Sequence, residues 1–228
     1  MRPIIVRAAV VACAAASVPA VVLAAAIAVG ELQEALHASP NLDRGAAYYL
    51  SCAACHGTDG GGTSDGRVAR IAGQHRSVLV KQLVDFRHGQ RWDIRMEHFS
   101  DSHHLQSAQA IADVAAYVNR LQPEAPPGMG DGELLEHGAG VYARRCQSCH
   151  GPRGQGSQRQ GVPRIAAQHY EYLRRQIYDA VEGRRPNFSP EHIRLLAPLQ
   201  RDDIVGVAGF LARARAPDGS KDVHEGER

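Results

Sequence analysis

The stretch "CAACHG", Cys52 to Gly57, recurs as "CQSCHG", Cys146 to Gly151, at an offset of 94 residues. Two cysteines separated by two residues and followed at once by histidine can hold zinc, exchange disulfides or carry a haem. Zinc would want two further Cys or His ligands in a second knuckle of each copy, and a thiol–disulfide site would want a βαβ context. The chain offers neither. Two thioether bonds to porphyrin vinyl groups plus an axial nitrogen on iron require this layout, so Cys52, Cys55, Cys146 and Cys149 read as c-type haem attachment, with His56 and His150 as iron ligands.

The offset extends well beyond the motif. It pairs Tyr48 with Tyr142, Arg70 with Arg164, Gln74 with Gln168, His75 with His169, Gln82 with Gln176, Asp85 with Asp179, Arg91 with Arg185 and Leu105 with Leu199, with no gap required. Two copies of one small domain are expected, at 38–122 and 132–216. Between them "PEAPPGMGDG", Pro123 to Gly132, cannot continue a helix, so 123–131 reads as a linker. The polar tail 217–228 is expected to be poorly ordered.

Periodicity within each copy is helical. Val78, Leu79, Leu83 and Phe86 recur at helix spacing before Gly89, as do Leu173, Ile177 and Val181 before Gly183. Ile111, Val114, Ala115 and Val118 mark a last helix, matched by Ile204, Val207, Ala208 and Leu211. The Gly-rich segments after each CxxCH exclude regular structure there, and no strand pattern appears. Each copy is therefore expected to be all-α. With aromatics at 5% of the chain, something large and flat is expected to complete each core.

Arg2 and Arg7 precede twenty-three uncharged residues, Ala8 to Gly30, that end at Glu31. Residues 1–30 read as an export signal with small residues for cleavage at Ala24-Ala25-Ala26 or Ala26-Ile27-Ala28, or as an uncleaved membrane anchor. Both place the rest of the chain outside the cytoplasm. Cys13 reads as filler within this run. Without Arg2 and Arg7 the chain balances at 24 Lys+Arg against 24 Asp+Glu, and no basic block or motif points to nucleic acid.

The two CxxCH motifs, "RIAGQH" with "PRIAAQH", "KQLVDFRHGQR" with "RQIYDAVEGRR", and "IADVAAYV" with "IVGVAGFL" together resemble the di-haem class I cytochromes c of the cytochrome c4 type. The resemblance covers some 175 residues. It implies a periplasmic electron carrier with two covalently attached haem c groups, in two all-α class I cytochrome c domains related by a pseudo-twofold axis. It makes His56 and His150 the proximal ligands, and it implies that the Pro163 carbonyl, with Ala69 in its place in copy one, accepts the imidazole N–H.

The family's distal ligand is a methionine seven residues before the Leu that precedes the last helix, and there His98 and His192 stand instead, in register at 94. The second copy contains no methionine; Met96 is the alternative for the first haem. Bis-histidine ligation through His98 and His192 is the expectation. His75 and His169 are rival ligands or lie near the haem edge. Arg70, Arg91, Arg164 and Arg185 are candidate propionate partners, since a buried carboxylate is costly unless paired; exposed helix-end charge is the alternative.

The expected function is electron transfer between a dehydrogenase or quinol-oxidising complex and a terminal oxidase or reductase. Two other functions stay open: a haem enzyme, such as a peroxidase or sulfur- or nitrogen-oxide oxidoreductase with Glu191 or an unbound His192 as acid or base, and an anchored cytochrome subunit of a larger complex.

Overall fold

The computed structural model describes residues 20–215. Arg2, Arg7, Cys13 and the tail 217–228 lie outside the described residues. The first copy comprises α2 (Leu42–His56), α3 (Arg76–Arg87), α4 (Ile94–Ser100) and α5 (Ala108–Arg120); α1 (Ala20–His37) precedes it. The second comprises α6 (Leu135–Arg145), α7 (Gln147–His150), α8 (Tyr170–Val181), α9 (Pro190–Leu196) and α10 (Arg201–Arg213). Among the described residues the one β feature is an isolated bridge between Ser157 and Val162.

Each domain is built on a crossing of its first and last helices. Asn41 caps α2 by accepting from the Arg44 N–H at 2.9 Å, and Ser107 caps α5 by accepting from Ala110 at 3.2 Å. In the second domain Gln200 and Asp203 cap α10 reciprocally. The helices approach so closely that a Cβ on Gly45 would collide with the Asp113 carbonyl, and one on Gly138 with the Gly206 carbonyl. Buried Ile111, Val114, Ala115 and Val118 face Tyr49, Leu79 and Val84; Val207, Ala208 and Leu211 face Val141, Tyr142 and Leu173. Cys52, Ile71 and Leu83 in one domain, and Cys146 and Ile165 in the other, stay only partly buried at the margins of these cores. An apolar face is thus left beside each cysteine.

These crossings correct the ungapped repeat. Buried Tyr49, not Tyr48, corresponds to Tyr142: each hydroxyl donates to the carbonyl after the CxxCH motif, Gly57 or Gly151, and each ring tilts against Tyr117 or Phe210. The offset is 93 for Gly45/Gly138 and Tyr49/Tyr142, becomes 94 at Cys52, and is 93 again in the last helix, as for Asp113/Gly206. The second copy therefore carries one extra residue between Tyr142 and Cys146. There the helix divides into α6 and α7, whereas α2 runs unbroken to His56.

Helix α1 was not part of the expected first domain, yet it docks on it. Ala28 and Ala35 are buried in the first core, and Glu31 pairs with Arg87 and with His88 at 2.7 Å. Arg76 donates to the carbonyls of Ala35, Leu36 and Ala38, closing the C-terminal end of α1, whose orphan carbonyls need donors. The helix runs through both candidate cleavage sites. No helix among the described residues is long and apolar enough to cross a membrane.

The domains clasp each other through matched residues. Gln74 donates from Nε2 to the Arg164 carbonyl at 2.8 Å and accepts from the Arg164 N–H at 2.9 Å; Gln168 does the same with Arg70, at 2.8 and 2.9 Å. His75 Nε2 meets the Gln155 carbonyl at 2.8 Å, and His169 Nε2 the Gly61 carbonyl at 2.7 Å. Every bond has a partner at the 94 offset, which is what a pseudo-twofold axis between the copies produces. The linker is strapped into this interface: Glu124 N–H donates to Asp59, Gly128 N–H to His169 Nδ1, and Tyr170 N–H to the Gly128 carbonyl.

Candidate haem sites

Helix α2 ends, and α7 is followed, by a glycine at φ +77°, a left-handed conformation that turns the chain sharply away after the histidine. The histidine is left at the helix end with its ring turned inward. His56 and His150 are both buried at 8% exposure. Nδ1 of His56 lies 2.9 Å from the Ala69 carbonyl and Nδ1 of His150 lies 3.1 Å from the Pro163 carbonyl. A carbonyl can only accept, so Nδ1 carries the proton and Nε2 is the basic nitrogen. Burial pushes both imidazoles below the ordinary histidine value and keeps them neutral, as an iron ligand must be. At His56 the bond to the Ala69 carbonyl, then Arg95 and Asp93, make smaller contributions.

The four cysteines among the described residues form no disulfide, with Cys52 and Cys146 half-buried against the apolar margins and Cys55 and Cys149 exposed. Burial raises the Cys52 thiol and pushes Cys146 up to about 11. A buried neutral imidazole, two thiols on the same helix end and a half-covered apolar margin fit a covalently held haem at each site.

The structure treats the two expected distal histidines differently. His192 lies against His150 with ring centroids 6.1 Å apart, and Phe188 packs edge-on against it at 4.6 Å. Burial, followed by His150 and Arg185, pushes its value down to about 4. His98 is not brought to His56. Its side chain is 62% exposed, with Nδ1 3.8 Å from Asp101 and its ring 4.5 Å from that of His104. His104 itself approaches Asp101 at 3.2 Å. Met96, two residues earlier on α4, is half-buried.

The physical reason is a register shift that the ungapped repeat hides. Asp93 caps α4, accepting from Arg95 and Met96; Ser189 caps α9, accepting from His192. Both helices have seven residues and end on a buried one, Ser100 or Leu196. Aligned by their caps, Met96 corresponds to His192 and His98 to exposed Arg194, an offset of 96. The second copy has two more residues before its short helix and two fewer after it. The cap residues were the signal that sequence reasoning could have used.

His75 and His169 are not placed as iron ligands, since both spend Nε2 on carbonyls across the domain interface. Glu191 is exposed and pairs with Arg194 at 3.1 Å.

The candidate propionate partners gather near the interface. Arg91 donates to Gln82, to Gln176 and to the Tyr172 hydroxyl; Arg185 donates to Gln176, Gln82 and Asn187. Burial and the nearby Arg91 push Arg185 down to about 10. Tyr172, which burial alone would raise, is instead pulled below its ordinary value by Arg91 and Arg185. Arg70 keeps a buried Nε without a protein acceptor. A field this positive, with a donor left over, suits carboxylates.

Two tandem helical domains, each presenting a CxxCH helix end and a neutral imidazole backed by a carbonyl, define a di-haem c-type cytochrome. Comparison with known proteins agrees: the cytochrome c family pattern matches residues 42–122 and 135–211. Cytochrome c4 of Pseudomonas aeruginosa is 30% identical over 185 residues, spanning 77% of this chain and 89% of that protein. The thiosulfate dehydrogenase electron acceptor of Stutzerimonas stutzeri is 31% identical over 176 residues, covering 72% and 78%. The crystal structure of reduced cytochrome c4 from Pseudomonas stutzeri superposes with a TM-score of 0.69 at 26% identity, over 78% of this chain and 100% of that one. The chain belongs to the cytochrome c4 family, carries two haem c groups and functions in electron transfer.

Proposed function

We propose that this protein is a two-site electron relay of the periplasm, taking electrons from a dehydrogenase or quinol-oxidising complex and passing them to a terminal oxidase or reductase. The observation that carries it is the repeated unit of CxxCH, buried imidazole and backing carbonyl in two domains clasped about one axis. Each haem, once bound, supplies a one-electron iron couple. Cys52, Cys55, Cys146 and Cys149 hold the two groups covalently. His56 and His150 present Nε2 to iron, fixed in tautomer and direction by the Ala69 and Pro163 carbonyls.

Arg91 and Arg185, with Arg70 and Arg164, neutralise propionates near the interface, so that ionised carboxylates can lie between the domains. Likeness to a thiosulfate dehydrogenase electron acceptor supports a dehydrogenase as the donor class. An acid or base poised over an open iron would favour an enzyme; the exposed pairing of Glu191 with Arg194 supports the carrier reading. Residues 1–30 direct export; a cut after Ala26 or Ala28 leaves Glu31 to His37 docked on the first domain.

The test uses the purified full chain. Alkaline pyridine spectroscopy is expected to count two haem c per polypeptide, and the reduced protein is expected to resist carbon monoxide. Rapid carbon monoxide binding together with peroxidase turnover would replace the carrier reading by an enzyme. N-terminal sequencing of periplasmic and membrane fractions decides between cleavage and anchoring.

A further inference from the structure

We infer that the two haems are ligated unlike each other, Met96 facing His56 in the first domain and His192 facing His150 in the second, so that the relay has a built-in polarity. This rests on the haem reading above and deepens it.

Helix geometry carries the first half. Successive helical residues turn by about 100°, so residues two apart point to nearly opposite sides and cannot both face one pocket. On α4 the choice is made: His98 is 62% exposed and held among Phe99, Asp101 and His104, which leaves half-buried Met96 for the inner side. The Asp93 and Ser189 caps give the same answer independently, putting Met96 and His192 at the third residue after their caps.

Distance carries the second half. Two imidazoles sharing one metal need ring centres ~6 Å apart, given metal–nitrogen bonds of ~2 Å and ~1 Å from each ring centre to its nitrogen. His150 and His192 stand 6.1 Å apart. Phe188 fixes the His192 ring at its edge, and Ser189 fixes the first turn beneath it.

The chemistry of the ligands then sets a direction. An axial thioether raises the iron potential relative to a second imidazole. A single electron therefore settles on the first haem, and the second is the one that a low-potential donor must fill. Electrons enter through the domain of 132–216 and leave through the domain of 38–122.

The test is spectroscopic and potentiometric, on holoprotein. The oxidised protein is expected to show a near-infrared sulfur-to-iron band of one-haem intensity, alongside bis-imidazole electron paramagnetic resonance from the other haem. Met96→His is expected to abolish the sulfur band and His98→Ala to leave it intact. Redox titration is expected to resolve two one-electron steps with at least a hundredfold preference for the first haem, about 120 mV at 59 mV per tenfold. His192→Met is expected to double the sulfur band and shrink that preference.

Two haems with no sulfur band, or with bis-imidazole signals lost in His98→Ala, would overturn the unequal ligation; unsplit potentials would overturn the polarity. A count below two haems would instead overturn the haem reading itself.

Discussion

The two domains are copies of one plan, yet they tie their first helix to their last differently: through buried Asp113 in the first, and in the second through a more exposed pair of His137 with Asp203 at 2.7 Å. Asp113 in α5 accepts from the Asn41 N–H, Arg44 Nε and Gln109 Nε2, each at 2.7 Å, and so ties the start of α2 to the last helix; α1 adds a further layer. The corresponding position in α10 is Gly206, which can hold nothing. The second domain also has its first helix divided at Cys146 and, among the described residues, no counterpart of α1. A repeat therefore fixes the fold of both copies without fixing their stability. Local opening is expected at lower free energy in the domain of 132–216.

The largest way to break this comparison is Gly138→Ala, which drives a methyl group into the Gly206 backbone. It is expected to cost about 3 kcal/mol and to unfold the second domain first, read by circular dichroism together with loss of the second haem's signal. Asp113→Asn is the converse and is expected to cost the first domain about 2 kcal/mol, visible in a denaturant titration.

That lead of the first domain is also pH-dependent. Burial would raise the Asp113 carboxyl, but bonds from Arg44, Asn41 and Gln109 outweigh it and hold the group below the usual range. A depressed acid stabilises the fold above its unfolded value of about 3.9 and loses that contribution as pH falls through its lower folded value. Asp59, Asp93 and Asp101 in the first domain and Asp203 in the second are held low as well. The share of the acid response that belongs to Asp113 is therefore read as the difference between the parent protein and Asp113→Asn, which is expected to lose less of the first domain's stability in acid. Gln74→Ala and Gln168→Ala should be equivalent, each removing two bonds across the axis for about 1–2 kcal/mol and loosening both domains alike; unequal losses would show that the clasp is not symmetric. Smallest of all is Arg194→Ala, which breaks an exposed pair with Glu191 and is expected to shift stability by less than about 0.5 kcal/mol.

The haem-binding half of each site was legible because CxxCH is contiguous and its chemistry is local. The helices facing it were legible as elements from the spacing of Val78, Leu79, Leu83 and Phe86. Register was not, because two extra residues before α9 and two fewer after it restore the 94 offset at Leu199, and an ungapped comparison passes over both. The Asp93 and Ser189 caps mark the true alignment, since a cap is fixed by the backbone it satisfies and not by distance from a motif. Gln74 and Gln168 could be seen to recur but not to cross between domains, because each finds its partner only when the copies face one another. Helix α1 was hidden by its own composition: the Ala-rich run that marks export also supplies the small side chain of Ala28, which together with Ala35 beyond the run lets a helix lie close on the first core.

The strapped linker has a kinetic meaning. Held by Asp59, His169 and Tyr170, the two redox domains never have to find each other by diffusion, and exchange between them is a first-order event whose rate does not depend on how dilute the protein is. Only the encounters with outside donors and acceptors remain second order, and those alone should respond to concentration and ionic strength.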